Sequence, residues 1–263
     1  MVNAASRWSA ADYAQNAGFV PALGAAALAL LDPKPGEFVI DIGCGDGVLT
    51  ERIARAGAKA IGLDASADMV EAARARGIDA FVADCQTLDL DRQVERFGQF
   101  DAAFSNAALH WMLDPSAVAR GVFNLLRAGG RFVGEMGGEG NLAILRRGLR
   151  DELAGRGYSL PAEDPQWYAS PADFEAIYRA AGFTGIQTDL VARSTPLPAG
   201  IRGWIKTFRS GLLDVVGVPE DQREAIAAAV EHRLAPELRQ PDGSLHADYV
   251  RLRFRMHKPQ AAS

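Results

Sequence analysis

The chain has 263 residues, 48% hydrophobic and 23% charged, an ordinary balance for a folded protein with a sizeable core. A net charge of −5 leaves no electrostatic footprint for nucleic acid or anionic lipid, so neither is expected as a partner. The two cysteines, Cys44 and Cys85, form neither a disulfide framework nor a metal-ligand cluster, which points to a reducing cytoplasm and to no metal. Near the start, the apolar stretch Val20 to Leu31 is too short to span a bilayer and carries no secretory pattern. It reads as a helix ending before Asp32-Pro33.

Next comes Val39-Ile40-Asp41-Ile42-Gly43-Cys44-Gly45-Asp46-Gly47, an apolar run ending in an acid and followed by alternating glycines. This is a buried strand breaking into a tight turn, with a helix over Val48 to Ala56 behind it. Glycines there let the backbone approach a ligand closely. The dinucleotide fingerprint needs a third glycine where Val48 stands, and the P-loop ending is absent. No lysine or arginine lies between Glu37 and Thr50 to clamp a phosphate. A cofactor without phosphates fits better, and S-adenosylmethionine is one.

Strand and helix then alternate at short spacing. Strands are expected over Ala58 to Leu63, ending at Asp64, and over Ile78 to Ala83, ending at Asp84. Between them runs a helix capped by Ser66 and stopped at Gly77. A fourth strand, Phe100 to Phe104, precedes a helix over Pro115 to Leu126 capped by Asp114. Residues 127–130 read as a turn and Arg131 to Met136 as a fifth strand. The order predicts a parallel sheet with helices on both faces and a ligand beyond the strands' carboxyl ends. Asp41, Asp64 and Asp84 would converge on that crevice, since each is expensive to bury without a partner.

The second half changes character. Helices are expected over Asn141 to Leu153 and Pro171 to Ala181, then a strand over Phe183 to Val191. Pro196 to Arg239 reads as two helices broken around Gly217-Val218-Pro219. In Ala247 to Met256, Tyr249, Arg251, Arg253 and Arg255 alternate with Val250, Leu252, Phe254 and Met256, a strand with one buried face. The arginine side reads as a solvated, charged face.

These motifs, in this order from Phe38 to Met136, resemble a class I S-adenosylmethionine-dependent methyltransferase. Trp8, Tyr13, the run Ser105-Asn106-Ala107-Ala108-Leu109-His110-Trp111 and the late helical insertion are most similar to the small-molecule group that includes trans-aconitate methyltransferases. The resemblance implies a Rossmann-like seven-stranded sheet, mostly parallel with an antiparallel last strand, and a helical cap inserted before that strand. The expected segments are an N-terminal helical part (1–36), the cofactor-binding core (37–140), the rest of the core (141–195), the cap (196–244), and the last strand and tail (245–263).

The resemblance also assigns roles. Asp41, Gly43, Cys44, Gly45 and Gly47 would form the loop beside the methionine and ribose portions. Asp64 would accept both ribose hydroxyls, its two oxygens matching the two donors. Ala65 and Met69 would lie on the adenine, Asp84 and the Cys85 backbone would read its edge, and Asn106 with Ala107 would meet the methionine end. Trp8 and Tyr13 would close over the cofactor. His110, Tyr13 and Glu135 are the candidate catalytic groups, and His110, Trp111, Arg202, Lys206 and Arg209 the candidate contacts to the methyl acceptor. Arginine forks suit carboxylates and phosphates, so O-methylation of a carboxylate or hydroxyl on an anionic small molecule is expected, with S-adenosylhomocysteine as product. Alternatives are N- or C-methylation, a fold that binds the cofactor without transferring methyl, and a nicotinamide-dependent oxidoreductase.

Overall fold

The computed structural model describes residues 24–87, 96–162 and 164–261. Trp8 and Tyr13 lie outside these described residues. The chain begins with α1 (Ala25–Leu31), β1 (Phe38–Ile42), α2 (Val48–Arg55), β2 (Lys59–Asp64), α3 (Ala67–Ala75) and β3 (Asp79–Val82). It continues through β4 (Phe100–Asn106), α4 (Pro115–Leu125), β5 (Leu126–Gly137), α5 (Ala143–Gly155), α6 (Pro171–Ala180) and β6 (Thr184–Pro196). The cap helices α7 (Gly200–Phe208), α8 (Ser210–Val216) and α9 (Glu220–Leu238) lead into β7 (His246–His257).

The seven strands form one sheet in the order β3-β2-β1-β4-β5-β7-β6. Strands β1 to β5 pair in parallel, while β7 runs antiparallel to both β5 and β6. The strand order reverses between β1 and β4, which opens a crevice at their carboxyl ends.

Period-two alternation explains the layering. Ile40, Ile42 and Phe132 join one buried cluster with Val122 of α4 and Phe174 and Tyr178 of α6. Val39 and Val133, one position along, join another with Ala27 and Leu31 of α1 and Ile53 of α2. Both faces of the central strands are therefore covered, as a parallel sheet requires. The caps behave as their residue types predict: Asp114 accepts from Ala117 N–H at 2.9 Å with Pro115 in the first turn, and Ser66 accepts from Met69 N–H at 3.4 Å.

Three local expectations change. Residues 127–130 are an irregular opening of β5: Gly129, at φ 76°, donates to the Lys258 and Pro259 carbonyls, and the ladder with β4 shifts register between Phe100 and Ala102. Strand β6 continues to Pro196, because it pairs with β7 as far as Pro196↔His246. The cap holds three helices instead of two, with an added break at Arg209 (φ −127°, ψ 2°). Leu145, Leu149 and Leu153 of α5 share one buried cluster with Ile201, Trp204 and Ile205 of α7 and Ile226, Val230 and Leu234 of α9. Helix α5 is thus packed with the cap.

Candidate active site

The glycine loop after β1 folds back on β2. Gly43 and Cys44 N–H both donate to the Leu63 carbonyl, at 2.8 and 2.9 Å, and Gly43, Gly45 and Gly47 all have positive φ. Gly43 is needed for close approach, since a Cβ there would stand 2.2 Å from that of Ala108. A Cβ on Gly45, which lines the cavity, would instead meet nothing within 4 Å, so the loop leaves a bare backbone cradle where a ligand can lie.

Asp64 ends β2 with its carboxylate aimed at this cradle. One oxygen accepts from Gly45 N–H at 3.0 Å and the other from Ser66 N–H at 2.9 Å. Burial pushes its pKa up against those hydrogen bonds. Each oxygen keeps a lone pair for a further donor, which is what a cis-diol offers. Asp84 accepts from Gln86 N–H at 3.0 Å, and the Gln86 side chain in turn accepts from Asp114 N–H at 2.9 Å.

These groups line one end of a cavity of about 1090 Å³, counting its open mouth. Of the residues singled out in the sequence, Gly43, Gly45, Asp64, Ala65, Met69, Asp84, Cys85, Asn106, Ala107, His110, Trp111 and Arg209 all line it. Burial pushes the Cys85 thiol up to about 12, so it stays protonated. Ala107 and Leu142, both on the cavity wall, are non-glycine residues held at φ 58° and 56°. Their backbones are pinned by the Glu135 carbonyl at 2.7 Å and the Asp248 carbonyl at 2.9 Å, so strain is retained at the site.

Other expected residues do not reach the cavity. Asp41 is 2% exposed and lies under the loop, where Thr50 Oγ1 donates to it at 2.6 Å. Two strand-end acids therefore converge, not three. The Cys44 thiol is buried against Val70, Ala73, Ile78 and Ala80, and Gly47 serves as the left-handed entry to α2, against Ala73. Glu135 is 3% exposed with both oxygens taken, one by Arg193 at 2.8 Å and the other by Arg253 at 2.7 Å, which removes it from proton transfer. Its contribution is the backbone carbonyl that holds Ala107. Arg202 and Lys206 do not line the cavity, because α7 buries the face carrying Ile201, Trp204 and Ile205 and they fall outside it. Arg202 pairs with Glu224 and Glu231 of α9.

The far end of the cavity belongs to residues that no local motif marked: Asn141, Gln166, Tyr168, Trp204, Tyr249 and Arg251. The alternating arginines of β7 meet three different fates. Arg255 is exposed, Arg253 is locked on Glu135, and Arg251 is 4% exposed under the cap. Arg251 makes no ion pair with any described residue; its guanidinium sits 4.5 Å over the Tyr249 ring and its Nε is unpartnered. Burial pulls its pKa down. Arg209, 3% exposed at the break between α7 and α8, stacks 5.1 Å over Trp204 and reaches Asp164 only at 3.9 Å. Its Nε is also unpartnered.

Several comparisons bear on this geometry. Residues 40–134 match the methyltransferase domain family. An uncharacterized methyltransferase of Schizosaccharomyces pombe is 33% identical over 95% of this chain and 98% of its own length. A ubiquinone biosynthesis O-methyltransferase of Xanthomonas oryzae is 36% identical, over 36% of this chain and 41% of that protein. Among solved structures, Haemonchus contortus phosphoethanolamine N-methyltransferase 2, in complex with phosphomonomethylethanolamine and S-adenosylhomocysteine, superposes with a TM-score of 0.60 at 17% identity, covering 95% of this chain and 57% of that one. The YcgJ protein of Bacillus subtilis superposes with a TM-score of 0.56 at 18% identity, covering 90% of this chain and 100% of that one.

Proposed function

Because the chain belongs to the class I S-adenosylmethionine-dependent methyltransferases, we propose that it methylates an oxygen, of a carboxylate or a hydroxyl, on an anionic small molecule held under the cap. S-adenosylmethionine supplies an electrophilic methyl on a sulfonium. Asp64 takes the ribose hydroxyls, Ala65 and Met69 pack on the adenine, Asp84 and the Cys85 backbone read its edge, and the Asn106 carbonyl faces the methionine ammonium. The acceptor lies among His110, Trp111, Arg209 and Arg251. Holding it there does much of the work, because displacement at a sulfonium depends chiefly on alignment.

Arg251 carries this reading. A guanidinium with this burial and no ion-paired carboxylate among the described residues is costly unless a ligand completes it. A carboxylate or phosphate does so with paired, charge-assisted hydrogen bonds. The aromatic faces of Tyr249 and Trp204 hold both guanidiniums in place. No helix among the described residues is long and apolar enough to cross a membrane.

The test is a panel of small carboxylates, phosphates, neutral alcohols and amines, scored by S-adenosylhomocysteine release. Anionic acceptors should turn over, and Arg251→Met should raise their KM about 10- to 100-fold, the span of one charge-assisted hydrogen bond. Its affinity for S-adenosylhomocysteine should hold, which certifies the fold. Equal turnover of neutral acceptors, or an unchanged KM in Arg251→Met, would overturn the proposal.

A further inference from the structure

We infer that His110 works as a fixed hydrogen-bond donor to the methyl acceptor and not as a general base. The inference rests on the anionic-acceptor reading for what is bound, but its geometric part stands alone. His110 lies in the 3-10 turn Leu109–Trp111, just past β4 at the carboxyl edge of the sheet, and it lines the cavity. The ring is 5% exposed and wedged between Trp111 and Tyr168, with centroids 5.5 and 5.6 Å away. Its backbone carbonyl accepts from Trp167 N–H at 2.8 Å, so neither ring nor turn is free to swing.

The partner of Nδ1 settles the tautomer. Gly137 N–H points at Nδ1 from 3.3 Å, and a backbone amide can only donate. Nδ1 must therefore present its lone pair, which places the proton on Nε2. Protonating Nδ1 would set two donors face to face. To act as a base through Nε2 the ring would first have to carry its proton on Nδ1, and taking up a second proton at Nε2 would then make it an imidazolium.

The charges around the ring oppose an imidazolium too. Burial holds its pKa well below the usual range, and Arg251 from β7 and Arg209 from the cap add to that effect. Tyr168 stacks on the ring, and Asp164 sits beyond Arg209, 3.9 Å from that guanidinium. Asp64 and Asp84 line the other end of the cavity and accept hydrogen bonds from the loops they close. What remains is a fixed Nε2–H in a cavity wall that also holds the Arg209 and Arg251 guanidiniums. It suits an oxygen with lone pairs and rejects an ammonium, which has only hydrogens to offer.

Nuclear magnetic resonance of protein labelled with 15N-histidine reads the tautomer without turnover. The chain has four histidines, so His110→Gln identifies the signal by its disappearance. The expected result is an unprotonated Nδ1 and a protonated Nε2, unchanged from about pH 5.5 to 8.5. A protonated Nδ1, or titration within that range, overturns the inference. In kinetics on an accepted anion, glutamine can offer an N–H near Nε2 but cannot act as a base. His110→Gln should keep kcat within about five-fold, and His110→Phe should raise KM by about ten-fold through loss of the donor. A fall in kcat of about a hundred-fold or more in His110→Gln, with a kcat/KM inflection near the imidazole range in the parent, would instead mark a base. If no acceptor is ever turned over, the functional proposal fails while the tautomer result still decides the role of the ring.

Discussion

Asp41 makes a sharp test of how burial and hydrogen bonding balance beneath the cofactor loop. Its carboxyl is buried under Gly43–Gly47, moved from an ordinary 3.8 up to about 7 by desolvation, opposed by the Thr50 hydroxyl and reinforced by the Asp64 charge. The folded chain therefore keeps a proton that the unfolded chain has already released, and stability falls as pH rises from about 4 to 7, then levels off. At about 1.36 kcal/mol per decade, the full penalty is about 4 kcal/mol, of which about 2 to 3 kcal/mol develops between pH 5 and pH 8. The substitution Asp41→Asn keeps the oxygen that Thr50 donates to, without the ionisation. Urea melts of the parent and Asp41→Asn at pH 5, 6, 7 and 8 should show the stability difference moving in favour of the variant by about 2 to 3 kcal/mol across that range. A difference that stays constant from pH 5 to pH 8 would refute the reasoning, because Asp41 would then ionise alike in both states.

The remaining predictions concern the two ends of the cavity. Asp64→Ala strips Gly45 and Ser66 N–H of their acceptor and removes the diol partner, so calorimetry should find S-adenosylhomocysteine bound at least about 30-fold more weakly. Gly43→Ala puts a methyl 2.2 Å from Ala108 at a φ of 71°, and urea melts should register a loss of about 2–4 kcal/mol, with weakened cofactor binding. Arg202→Ala removes only the solvent-facing pairs with Glu224 and Glu231, so KM for any accepted anion should stay within about two-fold and the urea midpoint should barely move.

The glycine-loop end of the cavity was legible because its signals are local. A strand-end acid, a glycine whose φ must be positive and a serine that caps the next helix act within a few residues of one another, and parallel βαβ units then bring their ends to one crevice. Asp64, Asp84 and two of the loop glycines, Gly43 and Gly45, accordingly line one cavity. Asp41 shared the same pattern and went elsewhere, since Thr50, in the first turn of α2, offers it a buried donor. The cap end of the cavity had no such local code. Arg202, Lys206 and Arg209 share one stretch of sequence, but amphipathicity turned the first two away from the cavity, and only the break in the cap helix turned Arg209 inward. Arg251 and Arg255 look identical in the alternation of β7, yet one lies under the cap and the other in solvent. Local chemistry thus determined the sheet and the glycine-loop end of the cavity. The charge of its other end was decided by which side chains the cap covers, a long-range packing outcome that no short window of sequence contains.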